Sequence, residues 1–321
     1  MMPSVLGALM VVAMACGSAP TPIVFTTDRD GNLEIYATDM RGEVVTNLTN
    51  SPTNEFSPVL SPDRRSVAFR SGTTENNSIE IISINGESRK QITQRTGNHG
   101  DQRWSPDSDR LVYLVEDGSA PGIFIADSDG ANALPLTTIR GDEVGGWSSD
   151  GKAVTFSVRD GPSRGIYVRN PDGVNEFRLT DQSDYSPIWA PGSRKIAFLS
   201  KRDDTTDIYV IDTETNDLQR ITDSEAEEYD LSWSPDGEML LFVSEQDGSP
   251  EIYTVSANGK GLRRLTHNTV KDVQPVWSPD GEKIAFVSHL DGDAEIFVMD
   301  ANGDNQTRLT NNNAQDTQPS W

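Results

Sequence analysis

The sequence predicts an all-β protein, a seven-bladed β-propeller of four-stranded antiparallel blades, and three repeating landmarks carry this prediction. All six tryptophans fall in one slot, with 42 to 44 residues between successive copies. An aromatic residue recurs in a second slot, and a threonine closes each unit. The landmarks are Trp104, Trp147, Trp189, Trp233, Trp277 and Trp321; Phe25, Phe69, Tyr113, Phe156, Phe198, Phe242 and Phe286; and Thr49, Thr93, Thr137, Thr180, Thr222, Thr266 and Thr310. A period near 44 residues is typical of a propeller blade.

Within each unit, four β-rich runs alternate with turn signals. In the clearest copy the runs are residues 275–277, 283–288, 295–300 and 307–310. The dipeptides Asp280-Gly281 and Asn302-Gly303 separate runs of this copy, and such pairs mark hairpin turns because they tolerate positive φ. Residues 284–287 are apolar on both faces, which predicts a strand covered on both sides by neighbouring blades.

The two ends of the repeat array supply one blade between them. Residues 23–27, 33–39 and 45–49 match the second, third and fourth strands of a unit, whereas residues 318–321 match a first strand. We therefore expect the C-terminal strand to join the N-terminal blade. This pairing closes a ring of seven blades and removes two exposed sheet edges. The propeller then spans residues 23–321.

The N-terminal residues differ from the repeats. Residues 5–16 form an apolar run that is too short to span a bilayer and suits a signal-peptide core. Ala13 and Ala15 precede Cys16, the one cysteine, so the stretch resembles a bacterial lipoprotein signal with Cys16 as the acylated residue. We expect residues 1–15 to be the signal peptide and residues 16–22 a short linker. An ordinary secretory signal cut after Ala15, or a buried N-terminal segment, remains the alternative.

The charge balance limits the classes of partner. The chain carries 27 Lys and Arg against 50 Asp and Glu, a formal net charge of −23. Nucleic acid and anionic lipid surfaces are bound by cationic proteins, so neither is an expected partner, and membrane contact is expected only through a lipid anchor. A cation, a basic protein or peptide, or simple solubility accounts for the excess of acid.

The repeat resembles that of a known family. The pattern PxWSPDGxxIAFVSxxDGxxEIYVMDxxGxxxxRLT is similar to the propeller repeat of TolB-type proteins and covers residues 23–321. The resemblance implies a scaffold of the bacterial envelope. In TolB itself a propeller of six blades follows an N-terminal α/β domain and docks a peptidoglycan-associated lipoprotein. We expect seven blades here, no counterpart of that domain, and a monomeric propeller.

Motifs for enzyme chemistry are sparse. The sequence has no GxSxG, HExxH or GxxxxGK[ST] motif, and its one cysteine belongs to the predicted signal. His99, His267 and His289 occupy different repeat positions, so they do not predict a shared metal site, and we interpret each as a surface histidine. A pair of carboxylates acting as acid and base stays open, because contacts between blades cannot be read from the sequence.

An acidic slot recurs five residues before the tryptophan slot, and it is the candidate binding site. His99 is the exception among seven copies, and Asp101 follows it two residues later. The predicted ring therefore consists of Glu55, Asp101, Asp142, Asp184, Glu228, Asp272 and Asp316. Placed before the innermost strands, these carboxylates would surround one mouth of the central channel and bind calcium, another divalent cation or a basic peptide. Capping of backbone N–H groups in the inter-blade loops is the structural alternative.

These observations favour a non-enzymatic interaction scaffold, exported and lipid-anchored, that faces the periplasm or the cell exterior and binds an envelope protein. The alternative from another class is a hydrolase or lyase acting on carbohydrate or peptide through carboxylates at the channel mouth. A module that binds a cation or small ligand is the third. We expect the tryptophans to form inter-blade core. We also expect Asp63, Asp107, Asp236 and Asp280 of the Ser-Pro-Asp-Gly turns to act in turn formation on the opposite face.

Overall fold

The structure is a computed structural model that describes residues 22–93, 97–116, 121–137, 143–202, 205–290 and 292–321. Cys16 and Asp142 therefore lie outside the described residues. The described part of the chain forms 28 strands. None of its segments is a helix long and apolar enough to cross a lipid bilayer.

The strands form seven antiparallel sheets of four, which confirms the predicted fold class and number of blades. From the innermost strand outward, blade 1 is β28 (Asp316–Ser320), β1 (Ile23–Thr27), β2 (Glu34–Thr38) and β3 (Val45–Asn47); blade 2 is β4 (Glu55–Leu60), β5 (Ser66–Gly72), β6 (Asn77–Ser83) and β7 (Lys90–Gln91); blade 3 is β8 (His99–Trp104), β9 (Arg110–Val115), β10 (Gly122–Asp127) and β11 (Leu134–Pro135); blade 4 is β12 (Glu143–Trp147), β13 (Val154–Val158), β14 (Gly165–Arg169) and β15 (Glu176–Arg178); blade 5 is β16 (Asp184–Trp189), β17 (Lys195–Ser200), β18 (Asp207–Asp212) and β19 (Leu218–Arg220); blade 6 is β20 (Glu228–Trp233), β21 (Met239–Ser244), β22 (Glu251–Ser256) and β23 (Arg263–Arg264); and blade 7 is β24 (Asp272–Trp277), β25 (Lys283–Ser288), β26 (Glu295–Asp300) and β27 (Thr307–Arg308).

Blade 1 is the composite blade that the sequence predicts. Its innermost strand β28 pairs with β1, with Ser320 opposite Val24 and Asp316 opposite Thr27. The hydroxyl of Thr26 donates a hydrogen bond of 2.9 Å to Gln318 Oε1 across this pairing. The ring therefore closes through main-chain and side-chain bonds between residues about 290 positions apart.

Aromatic pairs fill the interior of six blades. The second-strand aromatic faces a tyrosine or phenylalanine of the third strand, with ring centroids 5.2 to 6.1 Å apart. Such pairs contribute roughly 0.5–1.5 kcal/mol beyond the burial of their area. In blade 2, Phe69 is opposite Glu80, and the guanidinium of Arg89 covers the Phe69 ring at 5.2 Å. Arg89 also pairs with Glu80 at 2.5 Å, so an ion pair takes the place of the second ring.

The tryptophans join neighbouring blades, as predicted, but they are not equivalent. Trp104, Trp147 and Trp233 are buried, and each indole N–H donates to a main-chain carbonyl of the preceding blade at 3.0 to 3.3 Å. Trp189 and Trp277 are only partly buried, and Trp321 likewise. The bonded indoles therefore join three blade pairs through a hydrogen bond, whereas Trp189, Trp277 and Trp321 contribute packing against the core.

Two faces of the ring differ in their loops. The turn face carries the tight turns between first and second strands. There Ser61, Ser105, Ser148, Ser234 and Ser278 donate to the aspartate two residues later, at 2.5 to 2.7 Å. This confirms that the Ser-Pro-Asp-Gly aspartates form turns. The loop face carries the loops between second and third strands and the loops between blades.

Candidate functional site

The acidic slot lies within the innermost strands, not in the loops before them. Asp316, the first residue of β28, pairs with Thr27, the last residue of β1. Glu55, Asp184, Glu228 and Asp272 have the same register, each opposite a serine at or next to the end of its second strand. All five side chains are at most 3% exposed. They therefore lie beneath the loop face, where a buried carboxylate needs hydrogen-bond partners.

Arginines pair with three of these carboxylates. Arg29 Nη2 donates to both carboxylate oxygens of Asp316, at 2.9 and 3.1 Å. Arg202 Nη2 donates in the same way to Asp184, at 2.9 and 3.0 Å. Both arginines lie two residues after the end of a second strand. Glu55 pairs with Arg89 at 3.0 Å. Charge-assisted bonds of this kind are short and strong, so these carboxylates hold the loops of the face in place.

Glu228 and Asp272 have uncharged partners. Thr222 and Ser224 donate their hydroxyls to Glu228 at 2.6 and 3.1 Å. Burial raises the pKa of Glu228 to about 7, and the nearby Asp207 adds to the rise. The side-chain amide of Asn268 donates to Asp272 at 2.6 Å, and burial raises the pKa of Asp272 as well. Without a cation beside them, both groups resist ionisation.

Blade 3 departs from the predicted ring. His99, not an acid, begins β8, and its Nδ1 lies 2.7 Å from the carbonyl oxygen of Asn77. Its exposure is 0%, so the interpretation of His99 as a surface histidine is wrong; His267 is exposed and His289 half-buried. Asp101 lies two residues further along the strand at φ 51°, on the channel, and does not occupy the slot.

In blade 4, the described part of the innermost strand begins at Glu143. The register pairs Glu143 with Ser157, as it pairs Phe56 with Arg70 and Tyr185 with Leu199 in other blades. Glu143 therefore stands one position after the slot, and the predicted slot residue Asp142 lies outside the described residues. Glu143 accepts hydrogen bonds from the main-chain N–H and the hydroxyl of Ser186 at 2.9 and 2.8 Å. It also pairs with Arg159 at 3.2 Å.

A second layer of buried acids begins the third strands, and the sequence analysis overlooked it. Its members are Glu34, Asp207, Glu251 and Glu295, all at most 2% exposed. Arg220, Arg264 and Arg308 pair with the last three at 2.6 to 2.8 Å. The recurring Glu-Ile-Tyr and Arg-Leu-Thr segments could have predicted this layer, because the two segments contact each other in the folded blade. The closing threonine accepts the N–H of the isoleucine, as Thr310 does from Ile296 at 2.9 Å.

The channel wall is built by the third residue of each innermost strand. In six blades this residue has φ between 50° and 56°, where each strand bulges: Ser57, Asp101, Ser186, Asp230, Gln274 and Gln318. The side chains link one blade to the next. Gln318 Oε1 accepts the N–H of Ser57, Gln274 Oε1 accepts that of Gln318, and Asp230 Oδ2 accepts that of Gln274, all at 2.8 or 2.9 Å. The polar residue at the third position could have predicted these hydrogen bonds between blades. Which blade donates and which accepts could not be read from the sequence.

The described residues contain no group of three or more His, Cys, Asp or Glu side chains placed to hold a metal ion. The ring carboxylates in that part of the chain are instead bonded to arginine, hydroxyl, amide or main-chain groups. What the arrangement can do chemically is fix the inter-blade loops from below. Calcium and basic-peptide binding by the ring itself stay hypotheses.

Comparison with known proteins identifies the family. A family model described as the TolB beta propeller domain matches residues 11–184 and 181–277. The chain belongs to the TolB beta propeller domain family. The resemblance seen in the repeat is thereby confirmed.

Relatives within the TolB group are partial matches. The protein is 30% identical over 120 residues to a Protein TolB homolog of Chlorobaculum tepidum, a match that covers 36% of this chain and 27% of the relative. It is 29% identical over 193 residues to a Protein TolB homolog of Chlorobium luteolum, covering 60% of this chain and 34% of the relative. The matched region thus spans about a third of these relatives.

Solved structures of low identity share the TolB-type fold. TolB from Acinetobacter baumannii superposes with a TM-score of 0.64 at 18% identity, over 94% of this chain and 66% of that one. An oligogalacturonate lyase from Vibrio parahaemolyticus gives 0.69 at 17% identity, over 87% and 86%. The β-propeller domain of the Trilobed protease from Pyrococcus furiosus gives 0.70 at 16% identity, over 92% and 96%. At these identities the likeness shows the fold alone. The structures that share it include TolB, a lyase and the propeller domain of a protease.

Proposed function

We propose that this TolB-family propeller is a non-enzymatic interaction scaffold of the bacterial cell envelope, and that the loop face is its binding surface. The match to the TolB family supports the class of function. The buried carboxylates support the choice of face, and this single observation carries the proposal. Ser51, Ser224, Asn268 and Asn312 in the inter-blade loops each donate to a slot carboxylate, at 2.6 to 3.1 Å. Loops fixed before binding lose little entropy when a partner docks.

We propose that the partner presents a basic surface or peptide. Exposed acids crowd the described part of the loop face, among them Asp28, Glu75, Asp160, Glu225 and Glu245. Complementary charge steers association and excludes acidic competitors. The acidic ring predicted from the sequence thus contributes indirectly: the buried carboxylates position loops whose exposed acids make the contact.

The test is recovery of partners from envelope extract with two matched charge-reversal variants. E75K/E225K alters exposed acids of the loop face, and E238K/E282K makes the same charge change with exposed acids of the turn face. We expect only the loop-face variant to lose the captured partner. Loss in the turn-face variant alone, or in neither, would contradict the choice of surface.

We also propose that the protein is exported and anchored by acylation of Cys16, with residues 1–15 removed. Labelling with a palmitate analogue, followed by membrane fractionation, tests this. C16S should lose the label and leave the membrane fraction. A cleaved but unlabelled wild-type protein would indicate an ordinary secretory signal instead.

A second candidate is an enzyme acting on carbohydrate or peptide, and one observation favours it. Glu228 has a pKa of about 7, a value suited to a general acid near neutral pH. Its side chain is 3% exposed, so a substrate could reach it only after the covering loop moves. A screen of oligosaccharides and peptides against wild type and E228Q decides: turnover that E228Q abolishes would establish the enzyme.

A further inference from the structure

Strand β8 departs from the repeat at positions that the other blades keep. Gly100 stands where other blades have an aromatic or another larger residue such as Phe56, and Gln102 stands where four blades have proline. Arg103 takes the position of small or aliphatic residues such as Val59. Positions that repeat serve the scaffold, whereas clustered departures from local rules are expected at functional sites.

A fourth departure faces these from blade 2. Arg70 lies in β5, at the position where four other blades bury an aliphatic residue: Leu114, Leu199, Val243 and Val287. Its guanidinium packs over the Phe56 ring at 4.9 Å. It lies against the neighbouring blade at Gly100, where a Cβ would be 3.5 Å from Arg70 Nη1, an ordinary contact distance. Arg70 and Gly100 thus depart from the repeat together.

The departures converge on one cavity beside the channel. It has a volume of about 200 Å³, and its wall includes Ser57, Arg70, Asp101, Gln102, Arg103 and Gln318. We refer to Arg70, Asp101, Gln102 and Arg103 as the blade 3 niche. The space admits a carboxylate with a few carbon atoms, and the remaining wall includes Pro58, Val59 and Pro319.

The niche holds two guanidinium groups that donate hydrogen bonds to uncharged groups, while the Asp101 carboxylate interacts with both through charge and Glu116 with Arg70. Arg70 Nη2 donates to Asn98 Oδ1 at 2.6 Å, and Arg103 Nη1 donates to the carbonyl of Gln102 at 3.1 Å. Elsewhere on the loop side of the ring, arginines such as Arg29 and Arg202 pair directly with carboxylates. Burial also lowers the pKa of Arg70. A partly desolvated guanidinium gains most from a carboxylate, which matches its planar array of donors.

Gln102 adds a second sign of an incomplete site. Its side chain is 1% exposed, and Nε2 donates to the carbonyl of Ser57 at 2.6 Å. Its Oε1 has no hydrogen-bond partner among the described residues. A buried polar atom without a partner costs free energy, so a donor brought by a ligand would be favoured here once the side chain adjusts.

We propose that the blade 3 niche binds the carboxylate group of a compact, singly charged ligand, with Arg70 and Arg103 as its donors. The carboxylate belongs either to a small organic acid or to the end of a peptide. Asp101, which lies in the same wall, discriminates against dianions by charge repulsion. This inference does not depend on the interaction function proposed above.

The indole N–H of Trp104 reports on the niche, because it donates at 3.0 Å to the carbonyl of Val59, which lines the cavity. The probes are acetate, N-acetylglycine, acetamide and sulfate, titrated into the full chain at constant ionic strength. We expect acetate and N-acetylglycine to shift the Trp104 resonance with saturation. Acetamide should leave it unchanged, and sulfate should bind more weakly than acetate. Equal shifts with acetamide, or tighter binding of sulfate, would overturn the proposal.

R70L and R103V test the donors, since each restores the kind of residue that other blades carry and should therefore fold. We expect each to weaken acetate binding roughly tenfold, the effect of removing a charge-assisted donor. R65L, which removes an exposed arginine of the turn face, should bind as wild type does. Unchanged binding in both niche variants refutes the assignment. Should a variant fail to fold, the selectivity of the wild-type protein decides alone. N-acetylglycine binding tenfold tighter than acetate assigns a peptide end as the source, and equal affinities assign a small acid.

Discussion

Glu228 should make the stability of the propeller fall as pH rises through neutrality. Its ordinary pKa is 4.5, and in the folded protein it is raised to about 7. The folded state therefore holds a proton that the unfolded state releases between these values. Its contribution is fully present below pH 4.5 and is lost as pH rises through 7. A rise of 2.5 pKa units at 1.36 kcal/mol per unit corresponds to about 3 kcal/mol.

E228Q removes this titration while keeping the shape and polarity of the side chain. We expect its free energy of unfolding to match that of wild type near pH 4.5 and to exceed it by up to about 3 kcal/mol at pH 8. Urea unfolding followed by tryptophan fluorescence at the two pH values measures the difference. E225Q, at an exposed position three residues away, is the control and should track wild type at both. A wild-type-like pH dependence in E228Q would refute the reasoning. NMR titration of Glu228 would then show whether its pKa is not raised, or whether a raised pKa leaves the stability unchanged.

Three further predictions concern closure, the buried ion pairs and metal. Deleting residues 315–321 removes β28 and uncovers the fully buried edge of β1, so the melting temperature should fall far more than for a typical seven-residue truncation; an unchanged melting curve would contradict the closure. D316N leaves Arg29 without its anion and should cost about 3 kcal/mol in urea unfolding, while D63N at an exposed turn should cost less than about 1; equal losses would mean that burial does not matter. Calcium should produce no heat in calorimetry and EDTA no shift in melting temperature, because the described ring carboxylates already have protein partners; saturable calcium binding would restore the cation hypothesis.

The fold could be predicted almost completely because every blade records the same landmarks. Phe286 and Trp277 differ little from their counterparts in most other blades, so spacing alone supplied the blade count and the closure. Boundaries were less certain: β24 begins at Asp272, three residues before the predicted run. The slot was therefore placed in a loop when it begins a strand.

The candidate site was harder to predict, because its chemistry depends on contacts between distant residues. Asp316 is paired with Arg29, 287 positions away in the sequence. No local sequence pattern distinguishes a carboxylate with such a partner from one that is available to a ligand. His99 was misjudged for a related reason, since its burial depends on Asn77 in the preceding blade.

The composite blade also bears on how the chain reaches its fold. Six blades form from residues within one repeat of each other, whereas β28 must find β1 across about 290 residues. Bringing such distant ends together costs roughly 5 kcal/mol of chain entropy, which is not recovered until the last pairing is made. Non-local pairings of this kind slow folding. Blade 1 should therefore form last and open first, and amides of β1 and β28 should exchange with solvent sooner than those of the blade opposite.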